Sequence, residues 1–171
     1  TWSTAVQLIN AGNAFPPADP SGDNLLCGGV VSLNGYVFIM TTNGFVWNSA
    51  LNDPTDWTAQ DIIGSDIDAD NGVFLAKHHN HIGATCNSSM EFFYDAGNPV
   101  GSPLQLRQDI SYLTGSVDYN ATETTGESIS FLGREISGTI GLYILENFKL
   151  NRVSNDSIDQ YIGFTYTTKS V

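Results

Sequence analysis

One three-part pattern recurs three times along the chain, about 46–50 residues apart. Each copy is a short apolar strand, a polar turn rich in Asn, Gly or Ser, and then an aromatic strand. The first runs Gly35-Tyr36-Val37-Phe38-Ile39, Thr42-Asn43-Gly44, Phe45-Val46-Trp47. The second runs His81-Ile82-Gly83-Ala84-Thr85, Asn87-Ser88-Ser89, Met90-Glu91-Phe92-Phe93-Tyr94. The third runs Ser128-Ile129-Ser130-Phe131-Leu132, a turn from Gly133 to Thr139, and Ile140-Gly141-Leu142-Tyr143-Ile144-Leu145. A repeat of this length made only of β-type segments has the size of a propeller blade. One blade cannot cover both of its own faces, so blades stabilise one another by stacking. The expected fold class is all-β: about three β-propeller blades in an incomplete ring. Propellers usually close with about four to eight blades, so the chain is expected to be part of a larger chain or assembly. The expected organisation is an N-terminal strand and loop segment over residues 1–30. A partial propeller follows over residues 31–171, with three repeats and the start of a fourth.

Between the repeats the reading is coarser. Phe15 to Asn24 is punctuated by Pro and Gly and reads as a loop. Asn43-Gly44 between two aromatic strands is a hairpin signal. Asn48 to Trp57 reads as a structured loop, with Asp53 capping the turn that Pro54 starts and Trp57 anchoring it to the sheet. Residues 60–72 read as an acidic connector, and residues 107–126 show no clear period. Ser157 to Ile162 suits one helical turn capped by Asn155 or Asp156. Phe164 to Thr168 alternates and reads as the first strand of a fourth copy.

Charge narrows the function classes. There are 18 acidic and 6 basic residues, for a net charge of −12. No Lys or Arg precedes Lys77, whereas eight Asp do. Such a surface repels nucleic acid and anionic lipid at long range. It suits a surface that DNA slides past without sticking, and equally suits solubility. No apolar run approaches the roughly 18 residues of a membrane helix, so no membrane anchor is expected. Thr1-Trp2-Ser3 does not open a signal peptide. Cys27 and Cys86 make neither a disulfide framework nor a zinc site. Buried free thiols are expected, with a single bridge left open. The sequons at Asn87, Asn120 and Asn155 arise readily in a chain rich in Asn, Ser and Thr.

Few constellations carry chemistry. Asp66, Asp68 and Asp70 place carboxylates at every second residue and are the one metal option, for Ca²⁺. The match is imperfect, because Asn71 stands where an EF-hand has Gly and Lys77 where it has Glu. The same run reads as an exposed connector with Ile67 and Ala69 turned inward. His78, His79 and His81 lack a third ligand type nearby and read as a solvated turn between strands. Glu91 lies inside an aromatic strand, sharing a face with Phe93 opposite Met90, Phe92 and Tyr94, and reads as a hydrogen-bonding group at a blade edge. Trp2, Trp47 and Trp57 are the candidate sugar platforms, with Trp47 better suited to core packing. There is no nucleophile elbow, phosphate loop or dinucleotide fingerprint. The expectation is a non-enzyme with no catalytic residue and no cofactor.

Five stretches, in order, resemble a known family. They are Leu33-Asn34-Gly35-Tyr36-Val37-Phe38, the run Asn48 to Trp57, Met90 to Gly97, Gly141-Leu142-Tyr143-Ile144, and Arg152 to Asp159. Their order and spacing, over roughly Gly29 to Ile162, resemble the packaged-DNA stabilisation proteins of short-tailed bacteriophages, which are tail-hub or nozzle proteins. In place of the family's usual Thr-containing turn after the third blade, the chain has Asn155-Asp156. The resemblance implies a structural virion protein of the tail, assembled in the host cytoplasm. It implies a β-propeller subunit that forms a ring of its own copies, typically a hexamer, below the portal and its adaptor. Such a ring closes the channel after packaging and offers attachment to tail fibre or needle proteins. Double-stranded DNA passes without specific binding. Family members are longer than this chain. The alternative, from a different class, is a secreted carbohydrate-binding or carbohydrate-active propeller. A weaker third is a Ca²⁺-stabilised adhesion module built on Asp66, Asp68 and Asp70.

Overall fold

The computed structural model describes residues 25–65 and 70–169. Most of the expected N-terminal segment, and the residues Trp2, Asp66 and Asp68, lie outside them. The chain folds into three antiparallel sheets in succession. The first sheet is β1 (Val31–Leu33), β2 (Tyr36–Met40), β3 (Phe45–Ala50) and β4 (Asp53–Gly64), in that order. The second is β5 (Gly72–His78), β6 (His81–Cys86), β7 (Met90–Asp95) and β8 (Leu104–Tyr112). The third is β10 (Thr122–Thr125), β11 (Ser128–Glu135), β12 (Ile140–Glu146) and β13 (Lys149–Arg152), with β9 (Thr114–Ser116) pairing the far end of β11. The three sequence repeats are the central hairpins of these sheets: β2–β3, β6–β7 and β11–β12.

Each sheet is a meander because its turns are short and their chemistry fits. Asn34-Gly35 joins Leu33 to Tyr36 with both residues at positive φ, the two-residue hairpin geometry. The stretch expected to be a loop, Asn48 to Trp57, is instead the tight β3–β4 hairpin. Ala50 pairs with Asp53, and Asn52 takes the left-handed conformation at φ 58°. A loop signal built from Asn, Asp and Pro marks only the two-residue corner here, and extended chain resumes at once. The caps read from sequence hold: Asp53 Oδ1 accepts from the Thr55 amide at 2.9 Å. Trp57 is buried, and its indole N–H donates to the Pro54 carbonyl at 2.8 Å.

Alternation along the strands builds two cores, one on each side of the middle sheet. Val31, Leu33, Phe38, Met40 and Val46 of the first sheet meet Leu75, Ile82, Ala84 and Phe93 of the second. Phe74, Met90 and Phe92 point the other way and meet Ile129, Phe131, Tyr143 and Leu145 of the third. The middle sheet is therefore buried on both faces, which explains the near-continuous apolar run Met90 to Tyr94. The third sheet is buried on one face only. Leu142 is exposed there, and Ile140 and Ile144 are half-buried. On the far side of the first sheet, Ile39, Trp47 and Trp57 form a small cluster of their own. Among the described residues the arc does not close into a ring: the first and third sheets share no strand pairing.

The strand expected over Phe164 to Thr168 is not formed. Asp156–Lys169 is a helix, α1. Asn155 accepts from the Ile158 amide at 3.0 Å, as an N-cap does. Asp156 and Asp159 lie in its first turn, where the helix dipole favours negative charge. Asp159 pairs with Arg152 of β13, fastening the helix beside the third sheet. Period-two alternation over five residues is too short to overrule a good cap and an ion pair.

Candidate functional site

The first strands of the three sheets converge. The chain just before β1 runs parallel to β5: the Gly28 amide donates to Val73 and the Leu75 amide to Gly28, at 3.1 and 2.9 Å. A groove of about 640 Å³ opens along β1, β5 and β10, with Lys77, His79, Tyr119, Glu123 and Glu127 as its charged or titratable lining. This link from the chain before β1 to β5, and successive sheets stacked face to face, fix the radial arrangement.

Side-chain junctions then lock each pair of sheets. Between the first and second, the Ser65 hydroxyl donates to Oε2 of Glu91, which is fully buried. The Glu91 carboxylate thus bonds across a blade edge, as its place in an aromatic strand predicts. Cys86 packs against the same serine, 3.7 Å away. Cys27 and Cys86 are free, and burial pushes both thiols up to about 12. Strand β5 lies between them, since Gly28 bridges Phe74 and Gly72 pairs with Cys86. Two inter-strand steps amount to about 9–10 Å, beyond the roughly 7 Å that a disulfide spans between α-carbons.

The one described member of the acidic trio serves the turn of the second repeat. Asp70 Oδ2 accepts from the Ser88 amide and hydroxyl, at 2.5 and 2.7 Å, and Oδ1 from the Ser89 hydroxyl at 3.2 Å. Both of its oxygens are engaged by protein donors. Among the described residues no group of three or more His, Cys, Asp or Glu is placed to hold a metal ion.

Between the second and third sheets the junction is built on Phe148. It sits with Asn147 in the two-residue β12–β13 turn, both at positive φ (56° and 49°). The Phe148 amide donates to His78 Nε2 at 3.0 Å, and its carbonyl accepts from the Tyr112 hydroxyl at 2.5 Å. Its ring is ringed by His78, His79 and His81, at centroid distances of 4.6, 5.4 and 4.8 Å. The Arg107 guanidinium lies over it, 4.6 Å from the centroid. His79 meets Glu127 of the third sheet at 2.9 Å. The histidines do sit at a turn between strands, but not a solvated one: His78 is 0% exposed. Sequence reasoning missed the socket because its plug lies 70 residues away from His78. The one local trace is a Phe in a turn position that favours Gly.

Trp47 and Trp57 are both buried at 5% exposure, so neither presents a face to a sugar. No described helix is long and apolar enough to cross a membrane.

Antiparallel meanders stacked so that β1, β5 and β10 line one groove define a β-propeller blade array. A family model described as bacteriophage P22 Gp10, β-propeller, matches residues 26–171. The chain belongs to that family and is a bacteriophage structural protein. No curated protein matches it.

Proposed function

We propose that the chain is the blade array of a tail-hub or nozzle component that closes the portal channel and so stabilises packaged DNA. In this reading it forms a ring with further copies of itself, a hexamer by family resemblance. The ring contacts the portal adaptor and tail fibre or needle proteins. Its role is mechanical, without catalysis or cofactor, in the virion tail. The observation that carries the reading is the membership of a phage β-propeller family by an array whose arc is open. An open arc with Leu142 of the last sheet exposed, and Tyr161 and Phe164 of α1 each 73% exposed, favours a subunit that works against neighbours. The net charge of −12 is in keeping with a passage through which DNA slides without being trapped.

The test is reconstitution. Purified portal–adaptor complex is mixed with the protein and imaged by electron microscopy, and packaged particles are assayed for DNA retention with and without it. Added density beneath the adaptor, with improved retention, is the expected result. Failure to bind together with unchanged retention overturns the reading. The carbohydrate alternative draws no support from the buried Trp47 and Trp57.

A further inference from the structure

Phe148 occupies a left-handed turn position that is strained for a bulky residue, and such strain persists only where the surroundings over-determine it. What over-determines it is the socket on the second sheet. The socket's polar geometry fixes the protonation states of its histidines. His78 Nε2 accepts the Phe148 amide proton, so it carries no hydrogen of its own. His78 Nδ1 is buried without a hydrogen-bond partner. His81 Nε2 lies 3.3 Å from Arg107 Nη1 and, facing a group that only donates, must be the acceptor.

We propose that this socket is an acid-operated release between the second and third blades. Neutral His78 and His81 hold the Phe148 plug, and their protonation expels it. A proton on His78 Nε2 sets N–H against the Phe148 N–H and places a cation at a fully buried ring beside His79. A proton on His81 Nε2 sets a cation against the Arg107 guanidinium, which is itself held over the Phe148 ring. Both changes act on one residue and relieve its backbone strain when it leaves.

The groups facing the plug come from every element around it. From β5, β6 and the turn between them these are His78, His79 and His81. From β7 and β8 they are Tyr94, Arg107, Asp109 and Tyr112. From the third sheet they are Glu127, Glu146 and Lys149. Asp109 holds Arg107 at 3.0 Å and keeps the guanidinium in place. The His79–Glu127 contact joins the two sheets and opposes release. That pair is exposed on the Glu127 side, and such pairs contribute little. Burial depresses the pKa of His78, helped by neighbouring His79 and opposed by the backbone and charge of Glu127; burial and then Arg107 depress that of His81, opposed by Asp109. Native His78 and His81 thus bind protons less readily than they do in the unfolded chain. The hold is complete above the ordinary histidine value of about 6.5 and is lost as pH falls below it through the depressed values. Ordinary carboxylates titrate about two units lower.

Amide hydrogen exchange by NMR on the whole chain, at pH 7.5 and 5.5 and normalised to intrinsic rates, tests this. Protection of the Phe148 amide is expected to fall about tenfold or more, while that of Phe38 and Trp47 in the first sheet holds. Equal Phe148 protection at both values overturns the proposal, as does an equal fall in all three. The double variant His78→Gln/His81→Gln keeps neutral side chains in the socket and should flatten the response; a fall as large as in the parent overturns it. If that variant does not fold, Phe148→Ala decides. With no ring to release, its melting temperature should change less between pH 7.5 and 5.5 than the parent's, and an equal change rules the release out.

Discussion

The ring of Tyr119 lies on the backbone of Gly28. A β-carbon at Gly28 would fall 1.8 Å from Cδ2 of that ring. Gly28 is also the residue that bridges β5 in parallel, and Tyr119 opens the single 3₁₀ turn that leads into β10. One residue without a side chain therefore marks the point where the inner edges of all three blades meet.

Gly28→Ala forces the Tyr119 ring away and is expected to destabilise the protein by about 1–3 kcal/mol. Because the clash is with one side chain, Tyr119→Ala in the same protein should recover a large part of it. Urea unfolding of the two single variants and the double variant measures the coupling; simple additivity would show that the contact is not what makes the glycine necessary.

Phe131 and Leu142 test the difference between the two faces of the third sheet. Phe131 is fully buried against the second sheet, and Leu142 is exposed on the opposite face. Phe131→Ala should cost about 3–5 kcal/mol, as cavity-forming changes do, and Leu142→Ala within about 0.5 kcal/mol of nothing. Denaturant midpoints at a common slope report both, and comparable losses would mean that the exposed face is covered in solution.

Asp70 holds the Ser88-Ser89 turn with three hydrogen bonds. Asp70→Ala should lower stability by about 1–3 kcal/mol, since buried donors lose their acceptor. Added Ca²⁺ or chelator should leave the parent's melting temperature where it is, because both Asp70 oxygens already accept from serines. A calorimetric shift of several degrees with Ca²⁺ would favour the metal reading of this segment.

Cys27 and Cys86, pushed up to about 12 by burial, hold on the order of one thiolate in ten thousand at pH 8. A thiol reagent should label neither in the native protein and both after unfolding. Non-reducing electrophoresis should find no intramolecular bridge, because β5 separates the two.

The α1 attachment should be sensitive to strong acid. A hydrogen bond from Ser154 and the Arg152 guanidinium outweigh desolvation and hold the Asp159 carboxyl below its ordinary 3.8. The native state therefore releases this proton more readily than the unfolded chain. The contribution is present above the ordinary value and is lost as pH falls through the depressed one. Far-UV circular dichroism of Asp159→Asn at pH 7 should show the helical signal reduced; an unchanged spectrum would mean that α1 stands without the pair.

What could be read from the residues was whatever lies within a dozen positions along the chain. The central hairpin of each blade was legible, because apolar alternation and Asn-Gly turns act between neighbours. The Asp53 cap and Trp57 anchor were legible for the same reason, and so was the division of Glu91 and Phe93 from Met90 and Phe92. The order of five short motifs pointed to the phage family that the matched model shows. Outer strands β4 and β8 were not legible, because polar edge strands lack a strong period. Neither was the helical state of Phe164 to Thr168, decided by an N-cap and an ion pair that start eight or more residues earlier. The histidines were misplaced in solvent, since burial of a turn depends on what another sheet brings to it. Only the stacked blades set Phe148 among His78, His81 and Arg107, and Tyr119 on Gly28. Those contacts join residues some 40 to 90 positions apart. Local periodicity chooses strands and turns, but which faces meet is settled by the mutual burial of whole sheets.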